Sequence, residues 1–111
     1  MTLKKTIYEL MNIFTEEKKF IIDGYYRIRT IDDHTVEFAY LIAGPCGDTI
    51  AHPQITVSLN KTKLIGTKLI DMYSSPPLFL DRDTLNAHEI DSALDNLIEK
   101  FIQAAKNTKT Q

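Results

Sequence analysis

The sequence contains no tryptophan, one cysteine, four glycines and four prolines in 111 residues. The single cysteine, Cys46, excludes an internal disulfide and a metal site built from several cysteines. No run of eighteen apolar residues occurs, which excludes a membrane-spanning helix. The first residues also lack the apolar core and cleavage site of a signal peptide. We therefore expect a cytoplasmic protein with no membrane partner.

The sequence also has no large excess of positive or negative charge, because 13 basic and 15 acidic residues give a formal net charge of −2. This balance leaves no excess of basic residues for binding phosphates, which argues against a nucleic-acid partner. Hydrophobic residues at 43% and charged residues at 25% are ordinary values for a globular protein. A chain of this length is expected to form one domain over residues 1–111, with 107–111 as a frayed tail.

The stretch from Asn86 to Lys106 is predicted to form one long amphipathic helix. Apolar residues recur there at three- and four-residue spacing, so they share one side of the helix. They are Ile90, Leu94, Leu97, Ile98, Phe101, Ala104 and Ala105. Asn86 and Glu89 form a capping-box pattern, and Leu85 with Ile90 occupies the two positions of a hydrophobic staple.

A first helix is predicted at the N-terminus, from about Leu3 to Lys18. Helical spacing relates Leu3, Ile7, Leu10, Met11 and Phe14, and the pattern stops in the charged residues that follow.

Four strands are predicted between the two helices. The first begins at Phe20 and alternates as far as Arg29, with Gly24 as a bulge or a close backbone approach. The second runs from His34 to Ala43 after a turn at Asp32-Asp33, so the two strands form a hairpin.

The third strand is predicted from Pro53 to Leu59, after a loop that spans residues 44–48. A turn at Asn60-Lys61 leads to the fourth strand, from about Lys63 to Tyr73. The alternation of this strand is broken, either by a bulge at Gly66 or because Lys68 lies at an edge. The short apolar segment of residues 78–80 is expected to lie extended over the edge of the core.

These elements predict a two-layer α+β domain. Adjacent strands with short connections pair antiparallel, so the four strands form a meander sheet. Each helix has one apolar stripe, and the long C-terminal helix is expected to pack on one face of this sheet. The inward face is predicted to carry Phe20, Ile22, Tyr26, Ile28, Val36, Phe38, Tyr40, Ile42, Ile55, Val57 and Leu59.

The opposite sheet face is the first candidate binding surface. Its candidate contact residues are Tyr25, Arg27, Arg29, Leu41 and Tyr73. Tyrosine and arginine are enriched in protein contact surfaces, whereas a wet sheet face is normally mostly polar. The competing interpretation is a solvated face on which Arg27 or Arg29 pairs with Glu37 across the strands.

The Gly44–Pro53 loop after the second strand is the alternative site. Cys46, Asp48 and His52 lie close in sequence, and a thiol nucleophile needs a base within hydrogen-bond reach. No helix follows to lower the pKa of the thiol, so an inert cysteine in a turn is the simpler interpretation. No metal-ligand spacing, phosphate-binding loop or catalytic set is complete in the sequence, and no cofactor is predicted.

The sequence therefore favours a non-enzymatic protein-binding or self-associating module, either a homodimer or a partner of another protein. It would use the outer sheet face or a sheet edge. The first alternative is a small-ligand-binding protein or modest enzyme with its site at Cys46, Asp48 and His52. The second is a weak single-stranded nucleic-acid binder that stacks bases on the tyrosines of the outer face.

Overall fold

The computed structural model describes residues 3–60 and 63–109 and shows an α+β architecture. Its elements are α1 (Leu3–Met11), β1 (Lys19–Ile21), β2 (Gly24–Asp32), β3 (Thr35–Ala43), β4 (Thr49–Leu59), β5 (Leu64–Asp71), β6 (Leu78–Asp81) and α2 (Ala87–Lys109). The six strands form one antiparallel sheet in the order β1-β2-β3-β4-β5-β6. No helix in the described part of the chain is long and apolar enough to cross a membrane.

One sheet face packs against the helices and holds the core. The ring of Phe101 on α2 lies 5.1 Å from each of the rings of Phe14, Tyr26 and Phe38. Ile90 and Leu94 extend this contact along the helix as buried side chains. The molecule measures 36 × 36 × 22 Å, so it is a flat body with a helical layer on one side of the sheet.

The prediction of four strands was wrong because the chain reverses where one continuous strand was expected. Ile21 pairs with Gly24, and Ile22 with Asp23 forms a two-residue turn between β1 and β2. Gly24 is needed there because a Cβ atom would lie 2.5 Å from the ring of Tyr40. The turn also overturns the inward placement of Phe20 and Ile22.

The other added strand is β6, formed by the apolar segment that was predicted only to lie extended. Leu78 pairs with Asp71 and Leu80 with Leu69, so the segment continues the sheet beyond β5. The two prolines before it cannot donate to a ladder, and therefore the pairing begins only at Leu78.

The first helix is shorter than predicted, because it ends at Met11 instead of near Lys18. The amides of Ile13 and Phe14 both donate to the carbonyl of Leu10, which turns the chain. The carbonyl of Thr15 then accepts from the amide of Ile28, so the segment runs beside β2. This turn places the Phe14 side chain in the core.

The register between β4 and β5 explains why the alternation of the fourth predicted strand is broken. Thr56 pairs with Lys68 and Val57 with Gly66, which leaves Thr67 as an extra residue in a bulge. The interpretation of Gly66 as a bulge marker is confirmed. β4 itself begins at Thr49, four residues before the predicted start at Pro53. The predicted turn at Asn60-Lys61 lies partly outside the described residues.

The long helix α2 is confirmed, but its beginning differs from the prediction. The Asp83 carboxylate, not Asn86, accepts from the amides of Leu85 and Asn86. The Asn86 side chain instead binds the preceding segment, through the amide of Asp83 and the carbonyl of Asp81. The predicted staple is absent because Leu85 is 93% exposed. Residues 107–109 are helical rather than frayed, and 110–111 lie outside the described residues.

Candidate outer-face interface

The sheet face turned away from the helices, called the outer face, is organised in rows that cross the strands. Cross-strand partners share a face, so the register assigns each row directly. An apolar row consists of Phe20, Tyr25, Leu41 and Ala51. A mixed row consists of Arg27, Ala39, Gln54, Ile70 and Phe79. A charged row consists of Arg29, Glu37, Thr56, Lys68 and Asp81.

These rows give the outer face two unlike ends. The apolar row lies at the loop end, which we define as the end formed by the 22–23 turn, the 44–48 loop and the 72–77 segment. The charged row lies toward the far end, where β2 passes into β3. Large exposed apolar side chains concentrate at the loop end, because Phe20, Ile22, Met72, Tyr73 and Phe79 all belong to it.

The aromatic side chains of the loop end are open to solvent. Phe20 is 59% exposed and Phe79 is 63% exposed, on the two opposite edge strands. The Phe20 ring packs edge-on against Tyr25, with 5.1 Å between ring centres. The ammonium group of Lys18 lies 5.5 Å from the centre of the Tyr25 ring. Phe20 and Tyr25 therefore form an aromatic pair with the positive charge of Lys18 beside it.

The charged row is satisfied within the chain. The Glu37 carboxylate is buried and lies 2.9 Å from the Arg29 guanidinium and 3.4 Å from that of Arg27. Gln54 donates to Glu37 at 3.2 Å and accepts from Arg27 at 3.1 Å. The competing interpretation of the two arginines therefore holds: both pair with Glu37 across the strands. Only Arg27 Nε is buried without an acceptor among the described residues.

The remaining predicted contact residues differ in accessibility. Tyr25 is partly exposed, whereas Leu41 is buried in the middle of the sheet despite its outward direction. Strand alternation gives the direction of this side chain but not its exposure. Tyr73 follows the end of β5 and its ring packs on His52, 4.8 Å away, so alternation does not assign it to the outer face.

The alternative loop site is divided in the structure. Cys46 is a free, exposed thiol, and the amide of Gly44 donates to the carbonyl of Asp48. His52 binds a residue that sequence reasoning did not select, because Nδ1 lies 2.9 Å from the Asp71 carboxylate. No described hydrogen bond or ion pair within residues 3–60 and 63–109 joins His52 to Cys46 or Asp48.

The His52–Asp71 pair is held in a fixed orientation. The Asp71 carboxylate also accepts from the amides of Tyr73 and Ser74, at 3.0 and 3.2 Å. A carboxylate at Nδ1 favours the tautomer with the proton on that nitrogen, which leaves Nε2 as the acceptor. Over the described residues, no hydroxyl or thiol is bound to Nε2, and no three side chains of metal-ligating type are grouped. Among the described residues, the pair therefore has no nucleophile bound to it.

Three residues at the loop end were missed by sequence reasoning. Phe20 was assigned to the core because Ile22 stands where a turn normally has glycine, which hid the hairpin. Phe79 lies in an apolar segment too short to be assigned to a strand. Asp71 is 19 residues from His52, and only the β4–β5 register brings them together. The two prolines before the segment at 78–80 are the one signal that an edge strand follows.

Comparisons with known proteins identified no relative of this chain. No protein-family model, curated protein or solved structure matches the chain. The function proposed below therefore rests on the chemistry and geometry of the outer face.

Proposed function

We propose that this chain is a non-enzymatic protein-binding module whose partner covers the loop end of the outer sheet face. The observation that carries the proposal is the pair of exposed rings at that end, Phe20 and Phe79, on a sheet face that neither α1 nor α2 covers. Large aromatic side chains supply much of the binding energy of protein interfaces. The partner is either a second copy or another protein.

The surface area of the chain supports this proposal. It exposes 7013 Å², whereas a monomeric protein of 12.7 kDa is expected to expose about 6,200 Å². The difference of about 800 Å² is of the same order as the area that each partner buries in an interface of standard size. A sheet face that carries neither α1 nor α2 contributes to this exposed surface.

The distribution of charge on the face is suited to a protein partner. Interfaces combine apolar, aromatic surface with polar surface, and this face carries both an apolar row and a charged row. Arg27 and Arg29 are engaged by Glu37, so they do not offer free cations for phosphates. This supports protein binding over single-stranded nucleic-acid binding, which depends strongly on cations along the strand.

The sheet edges support the proposal less well than the face does. The amide of Arg82 donates a hydrogen bond to the carbonyl of Thr67 on β5. Backbone groups alternate in direction along a strand, so those of Phe79 and Asp81 point away from β5. The Asp81 carbonyl already accepts from Asn86 at 2.7 Å. At the other edge β1 has only three residues. Both edges therefore offer few backbone groups for hydrogen bonds with an added strand.

The test is the double variant Phe20→Ala with Phe79→Ala, in which both changes remove exposed aromatic surface from the outer face. A tagged full-length chain is used for affinity capture and native mass spectrometry, and is compared with the variant Ile31→Ala with Leu85→Ala. That control removes exposed apolar side chains that lie outside the loop end. We expect the outer-face variant to lose its stoichiometric partner, with an affinity at least tenfold lower, about 1.4 kcal/mol.

Thermal unfolding of both variants should stay close to that of the native chain, since the replaced side chains are largely exposed. If the outer-face variant and the control retain the same partner equally well, the outer face is not the binding surface. A native chain that binds no protein and forms no oligomer would likewise contradict the proposal.

A further inference from the structure

Two basic side chains lie beside the aromatic pair of the loop end. Lys18 comes directly before β1, and its ammonium group lies 5.5 Å from the centre of the Tyr25 ring. Lys19 pairs with Tyr26, so continuing the antiparallel register by one residue places Lys18 opposite Arg27. The aromatic pair therefore borders two neighbouring cations.

These two cations are incompletely neutralised by the described part of the chain. No carboxylate there lies within ion-pair distance of Lys18. Arg27 shares the Glu37 carboxylate with Arg29, so one negative charge serves two guanidinium groups. The hydrogen bonds of Arg27 to described residues come from Nη2, and its Nε is buried without an acceptor. Like charges on opposite strands are destabilising, and an anion beside Lys18 would offset this repulsion.

Two carboxylates at the loop end are bound by other side chains. Asp23 accepts from the hydroxyl of Tyr40, a residue of the inner face, at 3.1 Å. Asp71 lies 2.9 Å from Nδ1 of His52. Neither forms an ion pair with Lys18, so both leave the positive charge beside the aromatic pair in place.

The three rows of the outer face have an excess of basic groups, although the chain as a whole is acidic. With Lys18 they contain four basic and two acidic side chains, whereas the rest of the chain contains nine basic and thirteen acidic ones. The six charged side chains are Lys18, Arg27, Arg29, Lys68, Glu37 and Asp81. A two-fold interface apposes the same patch of both copies, so two outer faces would bring like net charges together. Charge therefore favours an acidic partner over a second copy.

We infer, on the basis of the proposed function, that the partner is another protein whose contact segment carries a carboxylate beside apolar side chains. The apolar side chains pack on Phe20 and Tyr25, and the carboxylate lies between the Lys18 ammonium and the Arg27 guanidinium. A nucleic acid needs cations along its whole path to neutralise its phosphates. Here the two cations adjoin an apolar row, which suits an acidic protein segment better.

The experiment is a titration of the isotope-labelled full chain, followed by amide NMR shifts. The probe is a short capped peptide that alternates glutamate with phenylalanine, and a matched peptide carries glutamine in place of glutamate. The acidic peptide should shift the amides of Phe20, Tyr25 and Arg27, and should bind at least about tenfold more tightly than the glutamine peptide. Added salt should reduce this difference.

The variant Lys18→Glu has a matched control in Lys100→Glu. Both lysines lie over a tyrosine ring, but Lys100 belongs to α2 and lies 4.3 Å from the centre of Tyr40. Lys18→Glu should bind the acidic peptide at least about fivefold more weakly, and Lys100→Glu should change the affinity by less than about twofold. Lys18→Glu should nevertheless unfold at the same urea concentration as the native chain or higher, because the new carboxylate faces Arg27. This result would separate a role in binding from a role in folding.

Equal binding of the two peptides at the outer face, or unchanged binding by Lys18→Glu, would overturn the inference and leave the proposed function standing. Displacement of the acidic peptide by an equal concentration of oligothymidylate would overturn it as well, since phosphate would then be the preferred anion. A native dimer that dissociates in the Phe20→Ala with Phe79→Ala variant, measured by sedimentation equilibrium, would show that a second copy is the partner. If neither peptide shifts the outer-face amides, the inference fails, and the capture experiment decides the proposed function separately.

Discussion

The two ends of the outer sheet face use the same strands in different ways. At the far end, Arg29 and Glu37 pair across β2 and β3, Arg27 contacts the same carboxylate from the mixed row, and Glu37 is only 6% exposed. At the loop end, Phe20 packs against Tyr25 but is still 59% exposed, and Phe79 is 63% exposed. The charged groups at the far end are therefore paired within the chain, whereas the apolar side chains at the loop end remain available for contact with a partner.

This difference shows where the molecule gains stability and where it can bind. A buried carboxylate between two guanidinium groups ties neighbouring strands together, and its loss leaves charges without partners. Exposed aromatic side chains add little to folding, because their surface stays in water. Substitutions at the far end should therefore change stability, and substitutions at the loop end should change association.

The largest expected effect on stability is that of Glu37→Ala. It leaves Arg27 and Arg29 without their shared carboxylate in a partly buried setting, so we expect a loss of about 1–3 kcal/mol in unfolding free energy. Urea denaturation measures it, and partner binding at the loop end should not weaken. Asp81→Ala is the control in the same row, since its 3.7 Å contact with Lys68 is exposed and should contribute less than about 1 kcal/mol. Equal losses in both variants would show that the shared carboxylate of Glu37 contributes no more to stability than an exposed surface pair does.

A smaller effect is expected at Tyr40, which supports the loop end from the inner face. Burial and the hydrogen bond to Asp23 raise the pKa of Tyr40 to about 12. A raised pKa means that its contribution to stability is complete below pH 10 and is lost as pH rises toward 12. Tyr40→Phe should cost about 1 kcal/mol at neutral pH and speed amide exchange in the β1–β2 hairpin. In absorbance titrations, the tyrosine that ionises near pH 12 should be missing from this variant.

The smallest effect is expected at Asp91, which fixes the far end of β6 to α2. Arg82, just after β6, donates to the Asp91 carboxylate at 2.8 Å and to the carbonyl of Gly66 at 2.9 Å. The hydrogen bond from Arg82 lowers the pKa of Asp91 below its ordinary value of 3.8. The stabilisation is therefore present above that value and is lost as pH falls through the lowered pKa.

Asp91→Asn should reduce stability at neutral pH, by less than Glu37→Ala because the pair is half-exposed. The difference between Asp91→Asn and the native chain should vanish in acid, as measured by thermal unfolding from pH 7 downward. A difference that persists in acid would mean that packing, rather than the ion pair, holds this end of the sheet.

The elements with a strong hydrophobic period were predictable from the sequence. The apolar stripe of α2 and the alternation around Phe38 and Val57 fix which side chains face the core, since burial of a face depends on local spacing. The hairpin between β1 and β2 was not predictable, because Ile22 is not a residue that favours the backbone it adopts. Tertiary pairing with β2 overrides that local preference.

The candidate site was predictable only in part. Tyr25, Arg27 and Arg29 lie on the outer face as alternation predicts. The exposure of Phe20 and Phe79 depends on pairings of the two edge strands that were not predicted, and the contact of His52 with Asp71 depends on the β4–β5 register. Such pairings join two different segments of the chain, and no periodicity within one segment reports them.

The sequence by itself determined the α+β class, the antiparallel central strands and the long C-terminal helix, because repeat spacing and local turn residues act over a few positions. Only the tertiary structure decided the number of strands, the rows of the outer face and the contact of His52 with Asp71. These depend on register, and register is set by many weak contacts that form together when the sheet closes against α2.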